Sequence, residues 1–264
     1  MTGGQALRKT LQLLLTTAFV SLLVAGVFFW YGLQIQAQAA PTWKQTPGPS
    51  GGKINALLID SQNPSTIYAG ADGGVYTSRD DGVTWQYTSE GFPAEQEVRV
   101  LAVDPTTSQI LYAGTYVGVY RSTDGGRTWS PANTGLTHKL VFSLAVDPLD
   151  TATVYAGTDG QVFKSTDSGN EWKVSSAGLP EETIWSLAPG YAAPGVLYAS
   201  TDSGVFISTD GGQQWRRASD GMPDRLRVQA LAVDRRLPSV LYAATEAGVY
   251  RSTDAAATWQ AATE

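Results

Sequence analysis

The sequence contains no cysteine and a single histidine, His138. Without thiols there is no disulfide, no thiolate metal site, no cysteine nucleophile and no lipidated cysteine to anchor a lipoprotein. One histidine removes a Ser-His-Asp arrangement with a supporting network and any site built from several imidazoles. His138 reads as a loop residue. No glycine-rich segment follows a strand and opens a helix, so the phosphate-cradling signal is missing as well. Positive charge is also scarce: 18 Lys and Arg stand against 24 Asp and Glu, a formal net charge of −6. Residues 1–40 hold Arg8 and Lys9 and no acid, so the remainder carries −6 − 2 = −8. A domain of that sign is a poor general nucleic-acid binder. Neither a metal nor a cofactor is expected.

What is plentiful points to strands and turns. The chain has 28 Gly, 13 Pro, 8 Trp and 12 Tyr, with 42% hydrophobic residues. Frequent turn residues between aromatic, β-branched runs predict an all-β domain with enough apolar material for a sizeable core. The N-terminus is different. Leu11 to Leu33 carries no charge and is long enough to cross a bilayer, which takes about 20 apolar residues. Arg8 and Lys9 precede it, which keeps the N-terminus in the cytoplasm and sends the rest outward. Ala37-Gln38-Ala39 is also an A-x-A cleavage pattern, so a removed signal peptide is the rival reading. The apolar run is longer than the ~7–15 residues of a usual signal core, which favours an uncleaved anchor. Residues 1–40 are thus expected to be an anchor or signal segment and residues 41–264 an extracytoplasmic domain.

That domain repeats. Ser78–Trp85 reads SRDDGVTW and returns as STDGGRTW ending at Trp129, STDSGNEW ending at Trp172, STDGGQQW ending at Trp215 and STDAAATW ending at Trp259. Before each comes a Tyr-Ala pair, at Tyr68, Tyr112, Tyr155, Tyr198 and Tyr242, and before that an apolar run such as LAVD. Each unit offers four short strands, A to D; in the second they are predicted at 98–103, 110–114, 118–122 and 128–131. Strands of this length in a unit of ~40–50 residues make one blade of a β-propeller. The expected fold is therefore a propeller of about five four-stranded blades.

The turn has a mechanical reading. Asp124 can accept hydrogen bonds from backbone N–H groups that the turn leaves unpaired, Gly126 supplies a positive φ, and Trp129 covers the turn and packs between blades. Asp80, Asp167, Asp210 and Asp254 are expected to do the same, with Trp85, Trp172, Trp215 and Trp259 as the matching covers. Catalysis or calcium binding would need one constellation rather than five equivalents, so these acids read as turn staples.

The motif S-x-D-x-G-x-x-W resembles the Asp-box (BNR) repeat family, and the resemblance covers residues 43–264. That family includes sialidases, xyloglucan-cleaving enzymes, the sortilin luminal propeller and photosystem II assembly and stability factors. The compact unit, the export segment and the lack of inserted loops resemble most the assembly-factor type. That likeness implies a non-catalytic propeller that binds a protein partner during assembly or stabilisation of a membrane complex. Relatives of that type usually have seven blades, and five units are visible here. A glycoside-binding or glycoside-cleaving propeller and a structural surface protein are the other two readings.

Closure and site follow from comparing the units. Thr42–Thr46 resembles the strand after each box and is expected to dock beside the last blade, where the box has lost its glycine. An open five-blade arc completed by dimerising is the alternative. Positions that fail to repeat are free to carry specificity. Two residues before the repeated Leu of strand A stand Asn55, Arg99, Phe142, Trp185 and Gln229; two earlier stand Lys53, Glu97, Leu140, Thr183 and Arg227. The B–C turns add Asp72, Tyr116, Asp159, Asp202 and Glu246. All should ring the channel mouth, with Arg99, Tyr116, Phe142, Trp185 and Arg227 as candidate partner-binding residues. Phe142 and Trp185 could instead plug the channel or pack between blades. The acids there make a glycosidase pair geometrically possible without singling one out. Six arginines between Arg216 and Arg236 divide among an outer strand, a D–A loop and an A–B turn. They read as a basic side rather than a single patch.

Overall fold

The computed structural model describes residues 47–49 and 52–262. The candidate membrane segment, the A-x-A pattern and the Thr42–Thr46 strand lie outside the described residues. No helix occurs among the residues described.

Among the described residues twenty strands form five antiparallel four-stranded sheets, each a meander in chain order. The first sheet holds β1 (Ile54–Ile59), β2 (Ile67–Ala71), β3 (Gly74–Ser78) and β4 (Gln86–Tyr87). The second holds β5 (Val98–Val103), β6 (Leu111–Thr115), β7 (Gly118–Ser122) and β8 (Ser130–Pro131). The third holds β9 (Val141–Val146), β10 (Val154–Thr158), β11 (Val162–Ser165) and β12 (Lys173–Val174). The fourth holds β13 (Ser186–Pro189), β14 (Leu197–Thr201), β15 (Gly204–Ser208) and β16 (Arg216–Arg217). The fifth holds β17 (Val228–Val233), β18 (Leu241–Thr245), β19 (Gly248–Ser252) and β20 (Gln260–Ala261).

Each sheet packs face to face on the next, and the core lies between sheets. Between the first and second, Tyr68 and Val75 of one meet Leu101, Leu111, Tyr120 and Trp129 of the other. The same apolar set recurs at the following junctions. Both faces of the middle sheets are covered, which explains why their inner strands are continuous apolar runs rather than alternating ones.

The box turns are built as their residues dictate. Ser122 Oγ donates to Asp124 Oδ1 (2.8 Å) and accepts from the Gly126 N–H (2.9 Å). Asp124 accepts in addition from the N–H groups of Arg127 and Thr128 (both 3.0 Å) and from the Thr128 hydroxyl (2.6 Å). The box tryptophan reaches back one sheet: the Nε1–H of Trp129, Trp172, Trp215 and Trp259 donates to the carbonyl of Thr88, Ala132, Ser175 and Ala218. Trp85 has no earlier sheet behind it among the described residues, and its Nε1–H donates to the Gly82 carbonyl of its own box (3.1 Å).

The fifth box makes the same turn without its glycine. Ala255 and Ala256 adopt φ of 58° and 66°. The bonds from Ser252, Ala256 and Thr258 keep the same pattern, and β20 still pairs with β19. A non-glycine residue in the left-handed region costs about 1–2 kcal/mol. The network around Asp254 holds the turn despite it.

These carboxylates make the fold acid-sensitive. Burial opposes ionisation of Asp124, but the Thr128 hydroxyl and N–H, the Ser122 hydroxyl and the Arg127 N–H outweigh it and hold the group at about 2. The Thr258 hydroxyl and N–H, with Ser252, hold Asp254 at about 2 as well. Asp80 is lowered chiefly by the Thr84 hydroxyl, Asp167 by the Glu171 N–H and Asp210 by the Gln214 N–H. A depressed folded-state pKa means the unfolded chain binds more protons below about pH 4. The stabilisation is therefore complete above pH 4 and is lost as pH falls toward 2. Urea midpoints taken from pH 5 down to 2 should drop steadily. The drop should be shallower for an Asp124→Asn, Asp254→Asn double variant, which starts lower.

Candidate functional site

A backbone irregularity sets the site. Strand A of the first, second, third and fifth sheets carries one extra residue in its pairing with strand B. Ile54 and Ala56 pair with adjacent residues across, as do Val98 and Val100, Val141 and Ser143, and Val228 and Ala230. The residue left over is Asn55, Arg99, Phe142 or Gln229. In the fourth sheet Trp185 takes the matching place just before β13, with its N–H on the Ser200 carbonyl (3.0 Å). A bulge frees a residue from the ladder and re-aims its side chain. Of the non-repeating positions read from the sequence, those two residues before the repeated Leu are thus the bulge positions in four sheets.

Arg99, Phe142 and Trp185 meet Tyr116 and Arg227 in a ladder that crosses four sheets. The Arg99 guanidinium lies between the rings of Tyr116 and Phe142, 4.7 Å from each centroid. Phe142 stands edge-on to Trp185, centroids 5.2 Å apart at 68°. The Arg227 guanidinium lies over the Trp185 ring, 5.1 Å from its centroid. The order is Tyr116, Arg99, Phe142, Trp185, Arg227: both guanidinium groups lie over ring faces and the two central rings meet edge to face, as ring quadrupoles favour.

Hydrogen bonds fix the rungs. The B–C turn residue of a sheet receives the bulge residue of the same sheet: Asn55 donates to Asp72 (2.9 Å), Arg99 to the Tyr116 hydroxyl and Trp185 Nε1 to Asp202 (3.0 Å). Arg227 also binds Asp202, and Glu97 lies 3.5 Å from Arg99. Arg99 Nε is buried without a partner among the described residues. Beside the ladder, Lys53, Ile54, Asn55, Asp72, Glu97, Arg99 and Tyr116 line one polar cleft. Tyr116 is exposed, while Arg99, Phe142 and Trp185 are half-buried.

Not every candidate joins. Asp159, Gln229 and Glu246 are exposed and make no side-chain hydrogen bond among the described residues, and Leu140 and Thr183 are likewise outside the ladder. The six arginines separate as expected. Arg217 meets Asp224, Arg227 meets Asp202, and Arg235 binds the Tyr191 hydroxyl on the opposite face. His138 is an exposed loop residue near Phe163. No cluster of three or more Asp, Glu or His side chains suited to a metal occurs among the described residues.

Two structural sets were not read from the sequence. Ser89, Ser176 and Ser219, with Asn133, accept from the N–H of the first valine of strand C, at 2.7–2.8 Å. Gly91, Gly135, Gly178 and Gly221 sit against the main chain of Trp129, Trp172, Trp215 and Trp259 in the next sheet. Each of these glycines follows a box tryptophan by six residues, a signal that alignment of the units contains.

No protein-family model and no curated protein sequence matches the chain. Solved structures do. An ancestral GH74 enzyme superposes with a TM-score of 0.69 at 24% identity, over 84% of this chain and 32% of its own. The GH74 xyloglucanase from Xanthomonas campestris gives 0.58 at 20%, over 83% and 46%. YCF48 from Cyanidioschyzon merolae gives 0.53 at 17%, over 83% and 88%. The chain thus spans about a third to a half of the GH74 enzymes' length. At these identities the likeness carries the fold alone: five four-stranded antiparallel sheets of the β-propeller kind.

Proposed function

We propose that this chain is a non-catalytic propeller, membrane-tethered through residues 11–33 or exported, that binds a protein partner across the channel mouth. The partner would belong to a membrane complex that the propeller helps to assemble or stabilise, as the assembly-factor resemblance implies. The observation that carries the reading is the ladder itself. Five of the residues that differ between units are Arg and aromatic types, the ones that dominate interface energetics, and they stand together, Arg99 and Phe142 of them on bulges. Asp72, Glu97 and Asp202 each contact a donor from this chain, an arrangement that orders a recognition surface. The fold likeness to YCF48 agrees with this reading.

The test is capture from the native membrane fraction by the intact chain. An Arg99→Ala, Trp185→Ala double variant with unchanged thermal stability should retain its captured membrane protein at least about 30-fold less tightly, as for the loss of one hot spot. Equal capture by the variant would remove the ladder as the site. A glycoside reading is favoured by one feature, the exposed ring of Tyr116 beside a polar cleft. Binding or cleavage of xyloglucan oligosaccharides, lost in the same variant, would replace the protein-partner reading.

A further inference from the structure

Among the described residues the sheets contact one another in succession, β1 with β5, β5 with β9, β9 with β13 and β13 with β17, and no comparable contact joins β17 back to β1. The first and fifth sheets therefore each keep a face that every other junction covers. On the fifth sheet, Tyr242 is 41% exposed, whereas its counterparts Tyr68, Tyr112, Tyr155 and Tyr198 are at most 2% exposed. Val249 is 46% exposed, whereas Val75, Val119, Val162 and Val205 are all at 0%. On the first sheet, Leu57 is 69% exposed, whereas Leu101, Leu144 and Leu187 are at most 8%. The free faces keep the residue types of a buried junction. Solvent-facing sheet surfaces usually carry polar residues instead.

We propose that a second copy of this chain covers these faces, head to tail, with the fifth sheet of one copy on the first sheet of the other. The four internal junctions specify the occupant. A tyrosine and a valine of one sheet always receive strand A and the box turn of the next. Tyr68 donates to the Gly125 carbonyl of the following box (3.3 Å), and Val98 lies directly on Gly70. The face that supplies those partners and lacks a preceding sheet belongs to the first sheet of this same chain. Charge agrees. At the third junction Lys164 covers the Tyr155 ring and donates to the Gly211 carbonyl of the next box (2.9 Å). Arg251 stands at the place of Lys164 and lies 5.9 Å over Tyr242. Asp81 stands in the first box at the place of Gly211, and no other box has an acid there. A head-to-tail junction therefore brings the Arg251 cation to the Asp81 carboxylate. The contact joins two different faces, so it repeats from copy to copy until the rotation between them closes the ring.

The experiment is the mass of the full chain in detergent, measured by light scattering across concentrations. Variants Tyr242→Asp and Leu57→Asp change residues that are exposed in a single copy, so each should fold, and circular dichroism checks this. Wild type should be oligomeric at micromolar concentration. Each variant should raise the dissociation concentration at least about a hundredfold, as expected for a buried anchor at an interface. An equimolar mixture of the two variants should regain association, because one junction then has two intact faces. A monomeric wild type at all concentrations overturns the proposal. So does dissociation by Tyr242→Asp without any effect of Leu57→Asp, which would mean that like faces pair. Failure of the mixture to associate overturns it as well. None of these outcomes depends on the channel-mouth ladder.

Discussion

Gly178→Ala should destabilise the chain by roughly 2–5 kcal/mol, the sum of a strained backbone and an overpacked junction. Gly178 holds φ at 91°, where an alanine costs about 1–2 kcal/mol. The larger part is steric. A Cβ at this place would lie 2.2 Å from the Trp215 carbonyl oxygen and 3.2 Å from its carbon. That neighbour is main chain and cannot swing away. It is also tied down: the Trp215 N–H donates to the Ala177 carbonyl (2.8 Å), and the Trp215 indole donates to Ser175 (2.8 Å). The third and fourth sheets would have to separate to admit one methyl group, which would weaken both hydrogen bonds and uncover the apolar junction. Gly160 is the control, because a Cβ there meets nothing within 4 Å. Gly160→Ala should leave the urea midpoint within about 0.5 kcal/mol of wild type. Equal midpoints for the two variants would show that the close approach has no energetic weight.

How much of this was legible in the sequence varies by element. Strands A and C of the second unit fall at the residues expected, Val98–Val103 and Gly118–Ser122. Strand B begins one residue later than expected, at Leu111, and strand D shrinks to Ser130–Pro131. Strand D is short because the chain then turns to serve its neighbours. Asn133 accepts from the Val119 N–H, and Gly135 runs under the next tryptophan. The inter-sheet glycines were hidden in plain composition, since a glycine in a loop looks like a turn residue until the next sheet is in place. The bulge was hidden for a related reason: an extra residue in strand A is invisible until its partner's register is known. The candidate ring residues were legible as the positions that refuse to repeat. Their order in the ladder was not, because stacking depends on which sheet each bulge faces. How the fifth box turns without its glycine was not legible either. A missing glycine signals a broken turn only when nothing else holds the turn, and four hydrogen bonds to Ser252 and Asp254 do.

Trp172→Ala should also cost about 3–5 kcal/mol, the range for a large aromatic removed from a core. Trp172 is 2% exposed and belongs to the cluster with Tyr112, Val119 and Leu144. Its loss leaves a void between the second and third sheets and strands the Ala132 carbonyl it bonds at 2.8 Å. Trp85 occupies the same place in the first box, yet the same substitution there should cost only about 1–2 kcal/mol in a single copy. Trp85 is half-buried, and its indole bonds its own turn, so alanine removes less apolar contact and leaves no carbonyl of another sheet unpaired. The contrast isolates what the box tryptophan does: it joins sheets, and its value depends on having a sheet to join. The Trp85 cost should then depend on protein concentration, unlike the Trp172 cost. A second copy that covers the first sheet would restore to Trp85 the neighbour that the other four tryptophans already have. Chemical denaturation at two concentrations a hundredfold apart measures this directly. A Trp85→Ala penalty that stays small at both would mean that no sheet covers that face in solution.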